Sequence, residues 1–341
     1  MIPARTLRAL RLLAVLALAA CGKEEPLPPA KPLTASAEQL AQIPNLAPGA
    51  FTVHKGTPVK WQVGGAALRV RVVAPEGAGP FPLVVFSHGF ASDVDQYDAL
   101  FEHWASHGYV VIAPFHLDGG GTGSAILSSL RYGSDGLVQA RVANLKTVLD
   151  HLADLDAVEF GLAARIDRGR IAAAGHSFGA FSAQQLGGAA TVDPEDGSRI
   201  EGLDPRVRAA LAISPPGEMF EIINAQSWRS MAAPMLATTG TWDRDGRFVT
   251  DWRQHRLSYE TAPAGRSWLL VNEGADHYLG NLICRTDRKE PAQTDALRMV
   301  NALSVTFLDA FVKDDAAARA FLDAPATLQT LTGDFARLEH R

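Results

Sequence analysis

The chain has 341 residues, with 32 Lys+Arg against 37 Asp+Glu and a formal net charge of -5. Hydrophobic residues make up 47% and charged residues 20%, enough apolar content to bury a core, which excludes a globally disordered chain. The mild acidity and the lack of a Lys/Arg block argue against nucleic acid as a main partner, and two cysteines, Cys21 and Cys284, are too few for a disulfide framework or a four-thiolate zinc site.

Residues 1–20 carry an address rather than a structural element. Arg5, Arg8 and Arg11 form a positive n-region, and Leu12 to Ala20 is an unbroken apolar run. As a helix these nine residues rise about 13–14 Å, well short of a ~30 Å hydrocarbon core. The pattern is that of a signal peptide. Its ending, Leu18-Ala19-Ala20-Cys21, resembles the lipobox of bacterial lipoproteins. That resemblance implies that Cys21 is lipidated as the first mature residue, and it places the protein at the bacterial cell envelope. Gly22 at the next position is associated with outer-membrane sorting. Residues 21–50 hold six of the 20 prolines and no sustained apolar period, so a solvated tether is expected there. With Cys21 acylated, Cys284 is expected to be a buried or partly buried free thiol.

From residue 51 to 341 we expect a single domain. Strands are predicted at Leu68–Val73, Leu83–Ser87, Tyr109–Ala113, Ile171–Ala174, Ala209–Ser214, Met235–Thr239 and Trp268–Asn272. Most are continuous apolar runs, as when helices cover both faces of a sheet. Val138, Val142, Leu145, Leu149 and Leu152 share one helix face, and so do Leu297, Val300, Leu303, Phe307 and Phe311 after a Thr294 or Asp295 cap. The expected architecture is α/β with a mostly parallel sheet, its ligand site at the carboxyl ends of the strands. Residues 215–233, rich in large apolar side chains, are expected either to cap an acyl pocket or to be ordinary helix packing.

Three strand ends carry residues suited to chemistry. Gly175-His176-Ser177-Phe178-Gly179 follows a strand and opens a helix-compatible run, which is G-x-S-x-G in its required setting. A sharp turn there exposes Ser177, and the glycines two positions away keep strand and helix from colliding. His176 should point away from the site. A serine hydroxyl needs a base and a group to orient that base. His277, five residues beyond the last core strand, is the candidate base. Asp243, just after Met235–Thr239, is the candidate acid, with Asp245 as the alternative. Backbone N–H groups of Phe178 and Phe90 are the expected oxyanion donors, the latter in Ser87-His88-Gly89-Phe90.

These motifs carry a resemblance. From about residue 68 to 312 the chain resembles the α/β-hydrolases, and Ser87–Phe90, Gly175–Ala180 and Gly274-Ala275-Asp276-His277 resemble one branch of them. That branch contains platelet-activating-factor acetylhydrolases, dienelactone-hydrolase-like proteins and cutinase-like polyester hydrolases. The resemblance implies a Ser-Asp-His triad and ester hydrolysis through an acyl-enzyme, with no metal or other cofactor. The elbow carries Ser177 where dienelactone hydrolases carry cysteine, and the chain has no His-Gly-Gly-Gly oxyanion run.

Other patterns are weaker. His103 and His107 are spaced i,i+4 but lack the glutamate of H-E-x-x-H. Gly119–Gly123 fits neither phosphate-binding glycine pattern and is expected to be a loop beside the site mouth. Asp243-Arg244-Asp245-Gly246 fails the EF-hand pattern at its third acidic position. The expected function is a serine ester hydrolase acting on a small-molecule ester or lipid, with a short or apolar acyl group favoured by Phe90, Phe178 and Trp242. A lipid-anchored, non-catalytic binding protein is the alternative from another class, and within the fold an amidase, peptidase or lactonase.

Overall fold

The computed structural model describes residues 29–341 apart from 160 and 246–248. The signal-like segment, Cys21 and the first part of the expected tether lie outside the described residues. The strands are β1 (Val53–Lys55), β2 (Val59–Val63), β3 (Ala66–Pro75), β4 (Phe81–Ser87), β5 (Val110–Pro114), β6 (Ile166–His176), β7 (Ala190–Val192), β8 (Arg199–Glu201), β9 (Val207–Ile213), β10 (Met235–Trp242), β11 (Ser267–Asp276) and β12 (Ala336–His340). Ten form one sheet in the order β1-β3-β5-β4-β6-β9-β10-β11-β12, with β2 paired to β3, while β7 and β8 pair apart. The stretch from β5 to β11 is parallel, and β3 and β12 flank it antiparallel. The sheet therefore contains all seven strands expected from sequence.

The helices are α1 (Ala37–Leu40), α2 (Asp98–Ser106), α3 (Thr122–Asp150), α4 (Phe178–Leu186), α5 (Leu257–Thr261), α6 (Thr294–Val312), α7 (Ala316–Leu322) and α8 (Pro325–Leu331). They explain why the strands are apolar throughout. Every residue of β4 is buried. Because side chains alternate along a strand, Val84 and Phe86 enter a core shared with Trp104 of α2 and Leu303 and Phe307 of α6. Leu83 and Val85 enter the opposite core with Leu145 and Leu149 of α3.

Three expectations need correction. Residues 30–50 are not solvated tether: Ala30 lies against Gly274, Lys31 pairs with Asp334 at 3.8 Å, and Ile43 is only 3% exposed within the core. A capping box at Ser36 starts α1. The ring nitrogens of His103 and His107 donate to the Asn45 and Ala47 carbonyls, each at 3.0 Å, so the two histidines hold this segment rather than a metal. Second, the helical stripe expected to run through Leu152 ends earlier, since α3 stops at Asp150 and Leu152 opens a 3-10 helix; α3 is also broken at Gly133, whose φ of 68° lies in the left-handed region that favours glycine. The regular stripe begins only after it. Third, the N-cap of α6 is Gln293, ahead of Thr294 and Asp295.

Residues 215–233 form turns and not the helix of the packing alternative. Phe220, Ile222, Ile223, Trp228 and Met231 pack against Phe178 and Phe181 of α4. The segment is mainly packing, with Met219 reaching the cleft described below.

Candidate active site

The nucleophile candidate sits on a turn that only this sequence pattern permits. Between β6 and α4, Ser177 adopts φ 54° and ψ −126°, a strained conformation costing of order 1–3 kcal/mol. Close backbone packing enforces it. A Cβ on Gly175 would lie 2.2 Å from the Gly179 carbonyl oxygen, and one on Gly179 would lie 2.0 Å from that of Ser87. Ser177 N–H donates to the Ile213 carbonyl at 2.9 Å, tying the turn to β9. Phe178 opens the helix, where backbone N–H groups lack intrahelical acceptors and the dipole is positive.

Two further strand ends bring the candidate acid and the candidate base together. His277 follows β11, and its Nδ1 lies 2.7 Å from Asp243 Oδ1. Asp243 follows β10 and accepts a second bond from Thr239 Oγ1 at 2.8 Å. Both side chains are almost fully buried. Asp245, the alternative acid, instead faces Tyr278. Burial by itself would lower His277. The neighbouring Asp243 carboxylate, with Asp245 and Asp276, outweighs burial and raises it above the ordinary imidazole value. Burial would likewise raise Asp243, but the two imidazoles beside it hold it well below the usual carboxylate range. With Nδ1 engaged, Nε2 of His277 is the nitrogen left for proton transfer.

The second of those imidazoles is a residue that sequence reasoning missed. His255 is fully buried, with Nδ1 donating to the Pro215 carbonyl at 2.5 Å and Nε2 2.9 Å from Asp243 Oδ1. Its ring stacks on that of His277 at 5.5 Å. Asp243, His255 and His277 are, among the described residues, the group whose ligand atoms come close enough to share an ion. Their nitrogen–oxygen separations of 2.7 and 2.9 Å are direct contacts, with no room for an ion between.

A buried hydrogen-bond chain links the base loop to the expected oxyanion loop. Gly89 N–H donates to Tyr97 Oη at 2.9 Å, Tyr97 Oη lies 3.0 Å from His176 Nδ1, and His176 Nε2 lies 2.9 Å from the His277 carbonyl. The carbonyl can only accept, so His176 carries its proton on Nε2 and Tyr97 donates to Nδ1. Burial pushes His176 down to about 3, which keeps it neutral. His176 thus faces away from the cleft, as expected, and joins two loops. Gln293 braces the base loop as well, accepting from Asp276 N–H at 2.8 Å and donating to the Gly274 carbonyl at 2.9 Å.

Ser177 and His277 line a cleft of about 410 Å³. Phe90, Ile126 and Met219 form its apolar lining, while Asp93, Gln96, Asp245, Arg285 and Asp287 make another part polar. Gly120 and Gly121 of the glycine-rich segment line it too, as does Thr122, although Thr122 and Gly123 open α3 where a loop was expected. Phe178 is fully buried rather than cleft-lining, and Trp242 is not among the lining residues. Cys284 is free, buried and part of the wall, and burial raises its thiol.

A mostly parallel sheet, helices on both faces and a strained serine between strand and helix decide the architecture. The fold is the α/β-hydrolase fold. The sequence model of the chlorophyllase family, an α/β-hydrolase-type esterase family, matches residues 47–205. The match includes the expected oxyanion loop, residues 87–90, and Ser177, and ends before Asp243 and His277. Among curated proteins, chloroplastic chlorophyllase-1 of Citrus sinensis is 42% identical over 43 residues, 13% of each chain. Chlorophyllase-1 of Arabidopsis thaliana is 44% identical over 45 residues, 13% of this chain and 14% of its own. The chain thus aligns with about one seventh of the length of these relatives.

Nothing in the local sequence marks His255 or Tyr97, because their roles depend on partners far along the chain. His255 and His277 do share a feature with Asp243 that was available in principle: all three lie in or beside loops after the last parallel strands.

Proposed function

We propose that this α/β-hydrolase is a serine ester hydrolase working through an acyl-enzyme, within the branch that includes acetylhydrolase-like and cutinase-like enzymes. One observation carries the reading: Asp243 holds the ring of His277 in the cleft where the strained elbow presents Ser177. In this mechanism His277 Nε2 takes the Ser177 proton as Oγ attacks the ester carbonyl. Asp243 fixes the ring and stabilises its charged form, and the Phe90 and Phe178 N–H groups stabilise the oxyanion. The protonated ring gives its proton to the leaving alcohol, and water then releases the acid. The apolar lining from Phe90, Ile126 and Met219 favours an apolar acyl or alcohol group.

Membrane anchoring belongs to the same proposal. Acylation of Cys21 at a lipobox places the enzyme in the bacterial cell envelope. Only residues 22–29 separate Cys21 from Ala30, which touches Gly274 beside the base loop; eight residues reach at most about 30 Å. On this short reach the anchor holds the cleft close to the lipid surface.

Ser177→Ala is expected to lower cleavage of a short p-nitrophenyl ester by at least about 10⁴-fold with an unchanged melting temperature. Activity retained within a few-fold refutes the assignment. Labelling by a fluorophosphonate probe separates this reading from a non-catalytic scaffold. A panel of graded acyl esters, phospholipid, polyester and chlorophyll then ranks the substrate classes.

A further inference from the structure

Arg141, in the part of α3 that follows the Gly133 break, is 1% exposed and takes no part in the proton transfers above. Burying a guanidinium is costly unless every donor is matched. Here all five are. Nε and Nη2 form a two-pronged pair with Asp118, at 3.1 and 2.6 Å. Nη1 donates to Ser87 Oγ at 3.0 Å and to the His88 carbonyl at 2.5 Å, and Nη2 also donates to the Gly89 carbonyl at 3.2 Å.

The targets are consecutive carbonyls of the loop that ends in Phe90. A second donor, His88 Nδ1, meets the Gly89 carbonyl at 2.8 Å. His88 Nε2 accepts from His116 N–H at 3.1 Å, so the proton sits on Nδ1. The Gly89–Phe90 peptide is planar and trans, so its C=O and N–H point in opposite directions. Holding the carbonyl against Arg141 turns the Phe90 N–H away from the guanidinium, and Phe90 and Ser177 both line the cleft. The guanidinium carbon also lies 4.6 Å from the centre of the Phe178 ring, next to the second donor. Asp118 braces the same loop through its main chain, its carbonyl accepting from Ala91 N–H at 3.1 Å.

We propose that Arg141, neutralised by Asp118, is a positioning residue that sets the oxyanion hole by holding the Gly89–Phe90 peptide and packing on Phe178. The proposal rests on the serine hydrolase reading. Lysine cannot replace it: a single ammonium has no planar fork to span the carboxylate and two carbonyls.

The test uses the full-length protein with three variants: Arg141→Lys, the paired Arg141→Met/Asp118→Leu, which leaves no orphaned charge, and Ser177→Ala. Turnover of an aryl ester is compared with that of its thiono counterpart, in which a weaker acceptor replaces the developing oxyanion. In both Arg141 variants kcat for the ester is expected to fall about 100-fold with KM within about threefold. The ester-to-thionoester ratio is expected to fall about tenfold, with the near-ultraviolet dichroism of the paired variant unchanged. Equal losses on both substrates, or a folded paired variant with kcat and ratio within threefold of wild type, overturn the proposal. Ser177→Ala as active as wild type overturns the hydrolase reading and this proposal together. An inactive Ser177→Ala beside an unaffected ratio overturns the positioning role alone.

Discussion

The two halves of the candidate site are built in different ways. The nucleophile half, residues 87–92 with 175–186, is set by main chain against main chain: glycines with no room for a methyl group, a positive φ at Ser177 and consecutive carbonyls gripped by one guanidinium. The acid–base half, residues 239–255 with 273–293, is set by side chains: Thr239, His255 and His277 around one carboxylate, and Gln293 bracing the loop. A steric requirement acts on residue type at short spacing. A hydrogen-bond requirement accepts partners from anywhere in the chain. The first half should therefore fail by unfolding or distortion, and the second by mistuned protonation.

The largest expected effect in the acid–base half comes from Asp243→Asn, which should lower kcat about 10⁴-fold. His277 must be neutral to accept the Ser177 proton, and Asp243 raises its pKa. Wild-type activity should thus be lost as pH falls through a value above about 6.5, and residual activity of the variant should persist to lower pH. A pH–kcat/KM profile reads both shifts; an acid limb that stays in place would contradict the assigned role of the carboxylate.

Gly179→Ala probes the other half. A methyl 2.0 Å from the Ser87 oxygen requires β4 and the elbow to separate, at a cost of about 3 kcal/mol or more. Urea denaturation measures this, and a wild-type midpoint would show that the elbow is not sterically closed. His255→Leu should act more mildly. It leaves the Pro215 carbonyl unpaired, costing about 1–3 kcal/mol, and loosens Asp243, with kcat reduced by up to about 100-fold. Thermal melting and kcat unchanged together would make His255 a bystander. Cys284→Ala should change kcat/KM by less than about threefold, since a buried thiol with a raised pKa is a poor nucleophile. A larger loss would give the cleft wall a chemical role.

Sequence by itself determined the parallel core and the elbow. Continuous apolar runs are required wherever helices cover both faces, and Gly175 and Gly179 are required wherever strand and helix backbones nearly touch. Short or alternating segments escaped notice. β12, beside β11 at the sheet edge, has only five residues, partly buried, and β1 and β8 are mostly exposed, so none carries an apolar run. Residues 30–50 look like solvated chain because their contacts are made one at a time, by Ile43 and by carbonyls that His103 and His107 hold.

Tertiary structure alone decided the rest. It brought Asp243 rather than Asp245 to His277, set His255 behind them, and set Arg141 beneath a peptide 52 residues earlier in the chain. A buried charge or imidazole is stable only where its partners converge, and that convergence is a property of packed elements, not of neighbouring residues.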